Sequence, residues 1–208
     1  MATVFPSSCL GCGAAGTVVC DACASTMRWA APASAPPAVL AWRSVFAYEG
    51  MARELIARIK YRNHRAAIGW LGKHVQAACG GLEFDLVTWP PTTGGRRRAR
   101  GFDHAALLAR HVARSRGAPV RSLLRRVDER PQTGRNALER RSRPPEFEPV
   151  PSAARMLGAT RRCVLLVDDV ATTGATLDAA ARALRAMGAI SVVAATAARA
   201  LPPGARGS

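Results

Sequence analysis

Val164-Leu165-Leu166-Val167-Asp168-Asp169-Val170-Ala171-Thr172-Thr173-Gly174-Ala175-Thr176 is the stretch on which the reading of this chain turns. The run Cys163 to Val167 is continuously apolar, as expected of a strand buried on both faces of a parallel sheet. Two acids follow, then a short loop of small and hydroxyl residues, and then an alanine-rich segment, Gly174 to Met187, which predicts a helix closed by Gly188. A strand that ends in such a loop and feeds a helix N-terminus has the geometry of an anion site outside the carboxyl end of a parallel strand. The backbone N–H groups of Ala171 to Thr176 can converge on a phosphate. The hydroxyls of Thr172, Thr173 and Thr176 can add hydrogen bonds, and Gly174 lets the backbone approach closely. Adjacent carboxylates beside an anion need a reason. Vicinal sugar hydroxyls, which donate to carboxylates, supply one, and a bridging Mg²⁺ would offset the remaining charge. The bland alternative is an acidic turn with a threonine cap.

Outward from this loop, the pattern alternates strands and helices. Val39 to Tyr48 predicts a strand and a turn, Met51 to Lys60 and Arg65 to Ala78 predict helices, and Phe84 to Trp89 predicts a short strand stopped by Pro90-Pro91. Asp103 to Arg116 predicts a helix ended by Gly117, and Ile190 to Ala195 predicts another buried strand. Residues 127–150 are polar, basic and without clear period, which predicts a long functional or mobile loop. The alternation implies an α/β domain with a parallel sheet flanked by helices.

A second glycine-rich segment follows the Phe84 strand: Trp89-Pro90-Pro91-Thr92-Thr93-Gly94-Gly95-Arg96-Arg97-Arg98-Ala99-Arg100-Gly101-Phe102-Asp103-His104. Arginines binding in a bidentate manner suit a pyrophosphate. Pro91, Thr92, Arg96, Arg97, Arg98 and Arg100 are therefore candidate pyrophosphate ligands, with Pro91 compatible with a tight or cis turn. The alternative is a solvated basic loop.

At the N-terminus, Cys9-x-x-Cys12 and Cys20-x-x-Cys23 form two knuckles seven residues apart. Four thiolates at this spacing can surround Zn²⁺ tetrahedrally and leave no open position, which makes the metal structural. Metal binding would then supply the folding free energy of a segment too short for its own core. An iron–sulfur centre, redox thiols or an empty site are the other readings. Cys79 and Cys163 lie apart from this cluster and read as packing residues. No metal spacing links His64, His74, His104 and His111; of these, His104 stands beside the arginine loop. Trp29, Trp42, Trp70 and Trp89 read as core or interface anchors ahead of base-stacking platforms.

The 208 residues allow one full-sized domain plus an appendage. The expected organisation is a four-cysteine zinc-binding segment at 1–28, a Pro-, Ala- and Ser-rich linker at 29–38, the α/β domain at 39–200 and a disordered tail at 201–208. Neither a secretory signal nor a membrane-spanning run is evident, so the expected location is cytoplasmic. The net charge is +16, carried by arginine apart from Lys60 and Lys73. It points either to a polyanionic partner or to a codon bias toward Arg, Ala and Gly.

Val164 to Thr176 resembles the signature of the type I phosphoribosyltransferases. The resemblance implies that Asp168 and Asp169 contact the ribose hydroxyls and act catalytically, and that Ala171, Thr172, Thr173, Gly174, Ala175 and Thr176 hold the 5′-phosphate of 5-phosphoribosyl-1-pyrophosphate. Arg100-Gly101-Phe102, the Leu55 to Tyr61 segment, Gln132 with Leu138 and Arg140, and the N-terminal cysteines are together similar to the ComF family of competence-associated, phosphoribosyltransferase-like proteins. Asp103-His104 replaces that family's usual Asn-Gln, and Arg143 stands near a usual asparagine. The resemblance implies a type I phosphoribosyltransferase-like fold with an N-terminal zinc finger, Mg²⁺ as cofactor and a role in competence and DNA uptake. It leaves two functions open. One is a phosphoribosyltransferase. The other is a catalytically silent accessory protein of natural transformation that binds single-stranded DNA, with competence helicase machinery as a further partner.

Overall fold

A computed structural model of the chain describes residues 8–62, 64, 66–95, 102–127, 145–158 and 162–200. Arg96, Arg97, Arg98 and Arg100 of the basic loop lie outside these residues, as do Gln132, Leu138, Arg140, Arg143 and the tail 201–208. The elements are α1 (Asp21–Ser25), β1 (Ala41–Ala47), α2 (Gly50–Arg62), α3 (Ala66–Ala78), β2 (Leu86–Thr88), α4 (His104–Arg116), β3 (Leu124–Arg126), β4 (Phe147–Pro149), α5 (Ala153–Gly158), β5 (Cys163–Ala171), α6 (Ala175–Ala186) and β6 (Ser191–Arg199).

Four strands form a sheet in the order β1-β6-β5-β2, parallel throughout. This is the architecture that the alternating pattern predicts. A single parallel bridge from Val87 to Val120 extends the sheet past β2. Both faces are covered. Leu165 and Val167 point into a core shared with α2, α3 and α4. Val164 and Leu166 point into a second core with α5 and α6. That two-sided burial explains the unbroken apolar run. The helices follow their apolar stripes. Leu177, Ala180, Ala181 and Leu184 are the buried face of α6, and Ala105, Leu108, Ala109 and Val112 that of α4. Helix α4 stops at Gly117, whose φ of 63° is left-handed. Helices α3 and α4 approach closely because position 72 has no side chain: a Cβ there would lie 2.5 Å from the His111 ring.

Three elements differ from the sequence expectation. Strand β5 runs on through the acids to Ala171, because β6 stays paired with it as far as Arg199. Strand β6 likewise extends beyond Ala195. Within 127–150, expected as an irregular loop, Phe147–Pro149 pairs antiparallel with Leu124–Arg126, with an Arg125–Glu148 ion pair across the strands. Residues 29–38 lie against the domain. Trp29 bridges Phe46 antiparallel on the open edge of β1, and Ala35 and Ala38 pack on the second core. The cysteine head is docked too: Val19 and Met27 belong to the first core cluster.

Candidate functional site

The carboxyl ends of the parallel strands carry the acids, the hydroxyl loop and the start of the basic loop. Asp168 sits opposite Thr196 in the β5–β6 register, and Ala171 opposite Arg199. The chain then turns through Thr172 and Thr173, both exposed, to Gly174, which is buried. Gly174 is the N-cap of α6, with φ 79° and no side chain to cap the helix. The N–H of Ala175 donates to Thr173 Oγ1 at 3.3 Å. The first-turn amides that follow are those a helix always leaves without intrahelical partners, and they carry the positive end of the helix dipole. Asp168, Asp169 and Ala171 to Thr176 are thus contiguous along one strand end, loop and helix start, all within the described residues.

The acids are not equivalent. Asp168 Oδ1 accepts the Asp169 N–H at 2.7 Å. Asp169 Oδ1 pairs with Lys60 Nζ at 2.9 Å, both side chains being 16% exposed. Removal from water first, and the neighbouring Asp169 charge second, push Asp168 well above the usual carboxylate range; the Asp169 N–H and Lys60 pull it back, and Asp103 raises it further. Sequence patterning does not single out Lys60 as a site residue. A signal for it exists: in a chain whose 30 basic residues are otherwise arginine apart from Lys73, a lysine at the end of α2 stands out. Ile56, Ile59, Ile68, Leu71 and Leu108 line the slot around the pair and leave a cavity of about 10 Å³.

Of the candidate pyrophosphate ligands, Pro91 and Thr92 are described and the four arginines are not. Among the described residues no peptide bond is cis, so the turn at Pro91 is trans. Asp103 ties both ends of this segment: Oδ2 accepts the Thr92 N–H at 3.2 Å, and Oδ1 accepts the Ala106 N–H at 3.4 Å as the N-cap of α4. His104 is buried, donates from Nε2 to the Ile59 carbonyl at 3.2 Å and tilts against Phe102. Both positions that depart from the family's usual Asn-Gln therefore hold the loop and α4 in place.

In the head, the Sγ atoms of Cys9, Cys12, Cys20 and Cys23 all lie within 4.8 Å of one another, with Cys12 and Cys20 at 3.6 Å. A tetrahedral Zn²⁺ with Zn–S of about 2.3 Å separates its thiolates by roughly 3.8 Å, so the four sulfurs fit such an ion. Cys9 Sγ also accepts N–H bonds from Cys20 and Gly11; the backbone N–H groups of Cys20 first, then Cys12 and Gly11, draw its thiol down to about 6 against the opposing loss of water. Gly11 is required here: a Cβ would lie 2.5 Å from Cys23 Sγ. Cys79 is buried in the first core and is not one of the four clustered cysteines.

The tryptophans divide. Trp42 is buried and donates to Thr196 Oγ1 at 3.1 Å. Trp29 is 68% exposed and stacks on Phe46, which stacks in turn on Trp70 beside His74. Among the described residues no helix is long and apolar enough to cross a membrane.

Residues 103–203 match the phosphoribosyl transferase domain. The competence protein ComFC of Bacillus subtilis is 31% identical over 145 residues, which cover 68% of this chain and 57% of that protein. Among solved structures, glutamine phosphoribosylpyrophosphate amidotransferase of B. subtilis, complexed with ADP and GMP, aligns with a TM-score of 0.43 and 22% identity over 63% of this chain and 26% of its own. An allosteric regulatory enzyme of purine biosynthesis aligns equally, at 0.43 and 22%, over 63% of this chain and 25% of its own. The chain therefore has a phosphoribosyltransferase-like fold, is homologous to ComFC, and joins that fold to an N-terminal four-cysteine cluster, the combination that fits the ComF family.

Proposed function

We propose that this protein binds 5-phosphoribosyl-1-pyrophosphate with Mg²⁺ at the carboxyl edge of its sheet and serves phosphoribosyl transfer in competence and DNA uptake. One observation carries the reading: a strand carries Asp168-Asp169 near its carboxyl end, at Ala171, and a short loop leads from it into a helix start that has no side-chain cap. The loop amides and the hydroxyls of Thr172, Thr173 and Thr176 hold the 5′-phosphate. Each acid has one oxygen engaged within the protein, and its second oxygen accepts from a ribose hydroxyl. An all-oxygen donor set suits Mg²⁺, which when bound neutralises charge on the pyrophosphate. Positive charge develops on the ribose as the pyrophosphate leaves, and the acids face it. Pro91, Thr92 and the arginines at 96, 97, 98 and 100 receive the leaving group electrostatically. Location in the cytoplasm belongs to the same proposal.

Calorimetry tests it: 5-phosphoribosyl-1-pyrophosphate and Mg²⁺ should give a binding heat with the wild type and none with Asp169→Asn. No heat with the wild type sinks the proposal.

A second reading, single-stranded DNA binding without turnover, is favoured by the net charge of +16 and by the exposed, stacked Trp29. DNA affinity should then fall steeply with salt and be weakened by Trp29→Ala, while Thr173→Ala leaves it intact.

A further inference from the structure

Residues 31–38 have the composition of a spacer, yet their path is held at several points. The Ala30 N–H donates to the Val45 carbonyl at 2.9 Å, and Arg199 donates to the Ala31 carbonyl at 2.7 Å. Farther on, the Ala38 N–H donates to Asp178 Oδ1 at 2.9 Å. The Val39 N–H closes a turn onto the Pro36 carbonyl at 2.9 Å. Between these ties, Pro36 is buried while Pro37 is exposed. The Pro36 ring rests on Gly174: a Cβ at 174 would lie 2.8 Å from Pro36 Cγ.

Two anchors of this strap lie at the candidate phosphate loop and the first turn of the helix it feeds. Gly174 is the N-cap of α6, and Asp178 is the acid of its first turn, itself buried and paired with Arg182. An acid in a helix's first turn ordinarily serves the helix dipole; here its carboxylate also holds the strap's backbone. The strap packs on the core face of α6, opposite the face from which Lys60 reaches Asp169. The loop is therefore held on the α6 side by the strap, and the strand that feeds it is held from the other side of the sheet by Lys60.

We propose that Pro36 is a positioning residue for the anion loop: its ring fixes Gly174 and so sets the direction of the amides of Ala175 and Thr176. Position 36 suits proline, whose restricted backbone keeps the strap from sampling other paths. The proposal rests on the phosphate-binding reading of the loop and goes beyond it by assigning the segment between head and domain to the site's wall.

The test is calorimetry of the full chain with ribose 5-phosphate, alongside urea unfolding. Pro36→Gly removes the ring, and Pro36→Val keeps apolar bulk on Gly174. Pro36→Gly should weaken binding roughly 3- to 10-fold under conditions where it stays fully folded, with a lower unfolding midpoint than the wild type from the lost ring and the freer unfolded chain, and Pro36→Val should bind like the wild type. Unchanged affinity in Pro36→Gly overturns the proposal, as does an affinity loss in both variants that tracks their loss of stability. Absence of binding by the wild type overturns the phosphate reading itself, a result distinct from either.

Discussion

Lys60 Nζ lies 2.9 Å from Asp169 Oδ1 across a sequence separation of 109 residues, tying the end of α2 to the carboxyl end of β5. Apolar side chains surround the pair, so neither charge has a good alternative in water. Lys60→Met should leave Asp169 largely buried and unpaired, at a cost of about 3 kcal/mol. Replacing both partners, Lys60→Met with Asp169→Asn, should recover most of that loss, since a buried pair stabilises far less than its broken half destabilises. Lys60→Arg should not restore the wild type, because a residual cavity of about 10 Å³ cannot take a guanidinium. Urea midpoints of the three variants check this, and equal midpoints for wild type and Lys60→Met would refute it.

Asp168 carries a stability cost that depends on pH. Its folded-state pKa lies above the ordinary 3.8, chiefly from loss of water and then from Asp169. The folded protein therefore binds this proton more tightly than the unfolded chain. The resulting stability is fully present below about 3.8 and is lost as pH rises through the raised value. Asp168→Asn should accordingly melt higher than the wild type at neutral pH, by on the order of a few °C, with the gap closing as pH falls toward 3.8. Calorimetric melting across pH 4–8 measures it. A gap that widens on acidification reverses the sign and sinks the idea.

Legibility in the sequence follows range of interaction. The buried β5 run, the stripe of α6 and the Gly117 stop are local patterns, and each appears where its spacing implies. The sulfurs of the cysteine knuckles likewise converge as their spacing predicts. The end of β5 escapes the pattern because Asp168 and Asp169 interrupt the apolar run, while pairing with β6 holds them extended. The three-residue strands β3 and β4 contain Arg and Glu and have no period to detect. Lys60 with Asp169, and Pro36 with Gly174, are partners across more than a hundred residues: the rare lysine at 60 stands out in the sequence, but the pairing itself is chosen by tertiary packing.

Asp103 stands where the ComF resemblance has asparagine, and its geometry says what that position does. One oxygen caps α4 and the other receives Thr92. Asp103→Ala should cost about 1 kcal/mol through the lost cap. Asp103→Asn can still accept the helix-capping N–H but not the Thr92 N–H, whose partner becomes an NH2, and should cost less than Asp103→Ala, about 0.5 kcal/mol. It also removes a charge that raises Asp168, so the pH at which the Asp168 contribution is fully lost should lie lower than in the wild type. Unfolding midpoints for both variants, with Asp103→Ala no weaker than Asp103→Asn, would show that the cap is idle.

Gly11 gives a way to disable the cysteine head without touching a ligand. Its missing side chain makes room for Cys23 Sγ, which would stand 2.5 Å from a Cβ, and for the tip of Met51 on α2 at 3.1 Å. Without metal, neighbouring thiols and lost hydration push Cys23 up to about 12, so four thiolates do not coexist at neutral pH unless a cation gathers them. Gly11→Ala should shift one sulfur out of the tetrahedron and lower zinc affinity by about 10- to 100-fold, the range seen when a ligand's support is disturbed. Competition with a chromophoric chelator reads the affinity directly. Because Val19 and Met27 sit in the first core cluster, the same variant should also lower the melting temperature of the whole chain in zinc-containing buffer. Full zinc retention by Gly11→Ala would mean that the cluster does not close around a metal in this geometry.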